Sequence, residues 1–154
     1  MDKELALKIA VVVLALLQPL AVLYCFNADF KSLSTTWGTF LQPLFIITNV
    51  TTSYYFFFCA KKWVLPSIFL ILLTAFSVNL FPELHNFIAS LFFLSCLYPL
   101  YEYKRLRLYA YAYSISVAIG FLTSLFWFEF WGVYVLCTYH LHLLWIKYKW
   151  ISRN

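Results

Sequence analysis

Apolar residues run through this chain in six long blocks separated by short polar or charged clusters. The blocks cover residues 9–26, 37–60, 63–80, 84–101, 108–128 and 130–146. At about 1.5 Å of rise per residue, each is long enough as a helix to cross a hydrocarbon core of roughly 30 Å, the last only just. None shows the period-two alternation of a strand, and all exceed the length of a membrane β-strand. The pattern therefore predicts six transmembrane helices in one all-α bundle. The longest connection outside the blocks on the exterior side, residues 27–36, has ten residues, so no soluble domain is expected. The first block follows Lys3 and Lys8 as a signal peptide would. It lacks a small-residue cleavage site and carries Gln18-Pro19 in its middle, which predicts a retained helix.

Composition agrees with the pattern. The chain is 64% hydrophobic and 11% charged, with a mean hydropathy of +0.83. A soluble domain carries about 25% charged residues, so a soluble globule is excluded. Disorder is excluded too, since 23% of the residues are aromatic. The net charge of +5 does not point to nucleic acid, because the basic residues stand in twos and threes beside apolar blocks. Ten of the eleven fall on one set of connections: Lys3, Lys8, Lys61, Lys62, Lys104, Arg105, Arg107, Lys147, Lys149 and Arg153. Lys31 alone falls on the other set, with Asp29, Glu83 and Glu129. The positive-inside rule then predicts six spans with both termini cytoplasmic, in a plasma, inner or endomembrane.

Other signals concern packing. Trp37, Trp63, Trp131, Trp145 and Trp150 fall near block ends, with tyrosines 98, 101, 103, 109 and 148, and read as an interfacial anchoring belt. Ala112, Ser116, Gly120 and Ser124 recur at every fourth position and predict a shallow groove for close helix packing inside the bundle. The four cysteines follow no regular framework and read as free thiols. Gln18-Pro19 and Gln42-Pro43 occur in matching Leu-Gln-Pro-Leu tetrapeptides. Counted from the exterior side, the two glutamines fall about 12 and 8 Å deep, within reach of an interhelical hydrogen bond if the two spans are neighbours. Gln42, Asn49 and Thr52 share one helical face, flanked by Thr48 and Thr51. That face would line a small polar cavity, or its threonines would bond their own helix.

The candidate chemistry is sparse. His140 falls near the midplane, about 16 Å below Glu129. His142 is two residues on and points away from it, so one of the pair faces inward, with an interhelical hydrogen bond as its expected role. With His85 at an exterior end, the three histidines cannot meet around one tetrahedral zinc. No G-x-S-x-G, P-loop, dinucleotide fingerprint or H-E-x-x-H is present, so neither a cofactor nor a metal is expected. Two sets of residues remain: an exterior polar cluster of Glu83, His85, Asn86 and Glu129, and the intramembrane polar residues Gln18, Gln42, Asn49 and His140.

The sequence from Asn79 to Asn86 reads Asn-Leu-Phe-Pro-Glu-Leu-His-Asn and is followed by Ala89 and Phe92-Phe93. This resembles the exterior hairpin of the Frag/DRAM/Sfk group of six-helix membrane proteins and related bacterial ones. There a proline-bearing turn leads into a helix opening with His, then a small residue, then aromatics. Ser34, Trp37, Phe40, Asn49 and the turn Glu129-Phe130-Trp131 also resemble its layout, over residues 32–145. The first exterior connection is shorter here than is usual in that group. The resemblance implies a membrane protein linked to lipid handling or to regulation of membrane enzymes, with His85, Glu83 and Glu129 as an exterior cluster.

The leading expectation is a non-enzymatic membrane protein that binds membrane lipid or assists another membrane protein. An accessory subunit of a larger membrane complex, a homo-oligomer and an intramembrane lipid hydrolase are the alternatives.

Overall fold

The computed structural model describes residues 3–26, 32–122 and 124–151. Asp2, Asp29, Lys31 and Arg153 lie outside the described residues, as do the side chains of Tyr148, Lys149 and Trp150. Among the described residues the chain is all-α. The helices are α1 (Lys3–Phe26), α2 (Gln42–Cys59), α3 (Val64–Ala75), α4 (Pro82–Glu102), α5 (Arg107–Leu122) and α6 (Leu125–Ile151). Short 3-10 turns at Leu33–Thr36, Lys61–Trp63 and Lys104–Leu106 join some of them.

Each helix packs on the next, and α6 closes back on α1, so the bundle is a ring. Connections alternate between its two ends. At one end Lys62 Nζ meets Glu102 Oε1 at 2.5 Å, and Lys147 lies 3.9 Å from Glu4. At the other, the Leu33 backbone N–H donates to Glu129, and Asn79 Nδ2 donates to the Trp37 carbonyl at 3.1 Å. The Lys62–Glu102 pair is exposed, so it contributes at most about 1 kcal/mol. What it marks is which loops share an end.

The ring is apolar on the outside. Ile9, Val13, Leu17 and Leu20 form an exposed stripe on α1, and Leu108, Tyr111, Ile115, Ile119 and Leu122 form one on α5. Both stripes follow the three-or-four-residue spacing of a single helix face. Two helices, Lys3–Phe26 and Pro82–Glu102, are by themselves long and apolar enough to cross a membrane. The interior is filled by Phe92, Phe93, Leu100, Leu106, Tyr113 and Tyr139, among others.

Three boundaries differ from the sequence reading, each for a local reason. Residues 37–41 are not helical. Gly38 has φ +79°, a left-handed conformation that interrupts a helix, and a Cβ there would lie 3.3 Å from Asn79 Nδ2. Helix α2 therefore begins at Gln42-Pro43, with the proline where a helix start tolerates it. The two Leu-Gln-Pro-Leu motifs are thus not equivalent, since Pro19 lies inside α1.

Helix α3 ends at Ala75, five residues early. Phe76 is extended, and its carbonyl is within 2.5 Å of His85 Nδ1. Twelve residues reach only about 18 Å.

Helix α5 ends at Leu122 and α6 begins at Leu125, four residues before Glu129. Ser124 accepts the Trp127 N–H on its hydroxyl at 3.4 Å and the Phe128 N–H on its carbonyl at 3.2 Å, which starts α6 there.

This last shift alters two expectations. Glu129 lies within α6, and Ser124 leaves the small-residue groove. The groove works at Gly120, where an added Cβ would lie 1.9 Å from the Phe128 Cβ, so the close approach is between α5 and α6 of the same chain. The aromatic belt also loses a member. Trp131 and Trp145 are exposed, but Trp63 is buried against Phe56, Tyr139 and His140.

Candidate functional site

A cavity of about 100 Å³ lies inside the ring. Its walls come from α1, α2, α3, α4, α6 and the turn at Leu33–Thr36. The polar residues that line it are Gln18 and Ser34, then Thr48, Asn49 and Thr52 on one face of α2, then His85, Glu129 and His140. Of these, Gln18, Asn49 and His140 were expected in the intramembrane set and His85 and Glu129 in the exterior cluster. His85 and Glu129 leave the exterior cluster and join Gln18, Asn49 and His140. Glu83 and Asn86 remain exposed on the surface of α4. Gln42 departs from the intramembrane set, because its Oε1 accepts from the Gly38 N–H at 3.2 Å at the start of α2.

Local structure explains the regrouping. Pro82 opens α4, so His85 falls in its first turn with its side chain turned beneath the extended Phe76. The Phe76 carbonyl can only accept, so Nδ1 carries the hydrogen in that bond and Nε2 of the neutral ring presents a lone pair. His85 is 1% exposed, and its Nε2 has no hydrogen-bond partner. Glu129, one turn into α6, is 6% exposed and accepts the Leu33 N–H. Among the described residues no lysine or arginine lines the cavity.

At the far end of the cavity His140 stacks on Phe56, with centroids 5.5 Å apart, and on Trp63 at 4.9 Å. Neither of its ring nitrogens has a partner. The expected interhelical bond of this histidine pair belongs instead to His142, whose Nδ1 is 3.0 Å from the Tyr109 hydroxyl. The hydroxyls of Thr48 and Thr52 are buried and unpartnered rather than bonded to their own helix.

Buried polar groups in folded proteins are nearly always hydrogen-bonded, and each exception requires a physical account. Among the described residues all of the exceptions but the Trp37 indole converge: Thr48, Thr52, His85 and His140 line the same cavity. Such an arrangement suits a small polar occupant. It does not suit a metal, because among the described residues no three of His, Cys, Asp and Glu come together around one ion.

Of these residues, Thr48 and Thr52 were legible from helical spacing, but His85 was read as a rim residue because nothing in its neighbours reveals that Phe76 leaves the helix. Compared with known proteins, the chain matches no family model, and no curated protein or solved structure is significantly similar to it.

Proposed function

We propose that this protein is a non-enzymatic, multi-pass membrane protein with six spans and cytoplasmic termini, and that it binds a small polar ligand or a lipid headgroup inside its helix ring. The observation that carries the binding reading is the cavity lined by His85, Glu129, His140 and the α2 threonines, where Thr48, Thr52, His85 and His140 hold unpartnered polar atoms. The membrane reading is supported by the outward apolar stripes, by two helices apolar enough to span, and by the basic residues gathered on alternate connections. The cluster resembled in the Frag/DRAM/Sfk group contributes two of its three residues, His85 and Glu129, to this cavity.

The topology is tested by cysteine labelling with a membrane-impermeant reagent in a Cys25→Ser background. Glu83→Cys should react from outside and Lys61→Cys only after permeabilisation. Reaction of both in intact cells overturns the six-span arrangement.

Binding is tested by native mass spectrometry of protein purified in mild detergent. The wild type should carry a small molecule or lipid that a cavity-filling Ala89→Phe variant lacks. An identical complement on both proteins overturns the reading.

A further inference from the structure

The polar atoms of the cavity are not neutral as to what they would hold. Glu129 brings a carboxylate into the interior, and among the described residues its partner is one backbone N–H, that of Leu33. Among the described residues no lysine or arginine lines the cavity, and the buried Lys8 acts on His140 rather than on Glu129. A buried carboxylate is costly unless a positive charge or several donors compensate it. His85 adds a second acceptor, the Nε2 lone pair fixed by the Nδ1 bond to Phe76. The apolar wall is rich in aromatic rings: Phe45, Phe56, Phe92 and Phe93 all line the cavity. Ring faces attract cations, more strongly where water is absent.

A carboxylate, an imidazole lone pair and aromatic walls together describe a site for an organic cation. Two further facts narrow the class. Acceptors need hydrogen-bond donors, which a quaternary ammonium lacks. The volume of about 100 Å³ is smaller than the roughly 150 Å³ cavity that admits benzene, so the bound part is a group of only a few heavy atoms.

We infer that the cavity binds a primary ammonium group, donating to Glu129 and to His85 Nε2 and bounded by the phenylalanine rings. This rests on the reading of the cavity as a binding site. A free small amine and the ethanolamine headgroup of a phospholipid share that chemistry, and the experiment separates them.

Purified full-length protein is melted in detergent with ethylammonium chloride, with tetramethylammonium chloride at the same ionic strength, and with ethanol. Ethylammonium should raise the melting temperature in a saturable way, because a ligand that binds the folded state stabilises it. Tetramethylammonium and ethanol should not. In Glu129→Gln, which keeps an acceptor for Leu33, the apparent affinity for ethylammonium should fall at least about tenfold, the effect of losing one charge-assisted hydrogen bond. In parallel, wild-type protein is extracted from nanodiscs of phosphatidylethanolamine, phosphatidylcholine or phosphatidylglycerol and weighed intact.

Selective retention of phosphatidylethanolamine identifies the headgroup as the source. A response to ethylammonium without lipid retention identifies a free amine, and both results support the inference. Equal stabilisation by ethylammonium and tetramethylammonium overturns it, as does equal affinity of wild type and Glu129→Gln. Retention of phosphatidylglycerol or binding of ethanol, with no response to ethylammonium, overturns the ammonium assignment while leaving the binding reading intact. No retention and no stabilisation by any probe overturns both, and leaves water as the occupant.

Discussion

Helix α6 presents two faces that treat the same kind of residue in opposite ways. On the face toward α4 and α5, polar groups have partners. Tyr109 is bonded to His142, and the Tyr139 hydroxyl donates to the Pro99 carbonyl at 3.4 Å. On the face toward α1 and α2, His140 has aromatic neighbours and no hydrogen bond, and the cavity begins beside it. Two residues of helix separate a closed seam from a space with unmet polar groups. An interhelical hydrogen bond is worth about 0.6 kcal/mol on average in membrane proteins, so neither face is held together by polar contacts alone. The seam is closed by the fit of the backbones at Gly120. The other face leaves a gap that a ligand can fill.

The largest expected effect lies in that fit. Gly120→Leu should cost about 3 kcal/mol or more, because even the first added carbon would collide with Phe128, whereas Leu122→Ala, on a side chain 85% exposed, should change stability by less than about 0.5 kcal/mol. Thermal denaturation of both variants in detergent makes the check, and equal midpoints would show that the seam is not closed there.

A smaller effect separates the two histidines. Replacing His142 by Phe removes the bond to Tyr109 and should cost about 1 kcal/mol. The same change at His140 removes no hydrogen bond and adds an apolar ring to an aromatic nest, so the unliganded protein should keep or gain stability. A loss at His140 equal to that at His142 would erase the contrast between the faces.

Much of the helix content was legible in the blocks of apolar residues, because a run of that length has few other ways to satisfy its backbone. The ends were less so. Gly38 stands between Trp37 and Thr39 in a block that reads as one apolar run, and its positive φ interrupts that run four residues before α2 starts. Thr123-Ser124 is the one polar pair within residues 121–128, a helix-start signal masked by the phenylalanines on both sides. The site was half legible for a related reason. Helical spacing put Gln42, Asn49 and Thr52 on one face with Thr48 and Thr51 beside it, and of these Thr48, Asn49 and Thr52 line the cavity while Gln42 and Thr51 do not. The depth of His85 depends on where α3 stops, and that of Glu129 on where α5 turns, so small boundary errors moved both from the interior to the rim.

The closure of α6 onto α1 has a consequence for how the protein comes into being. The cavity draws Gln18 from α1 and Glu129 and His140 from α6, with Asn49 and His85 between them. During synthesis Gln18 must wait, without its final surroundings, until more than a hundred further residues have followed it. Contacts between such distant parts of a chain form late, because ordering the intervening segment comes first. The cavity therefore closes only once α6 has packed on α1, and a ribosome that stops before α6 leaves it without the wall that carries Glu129 and His140.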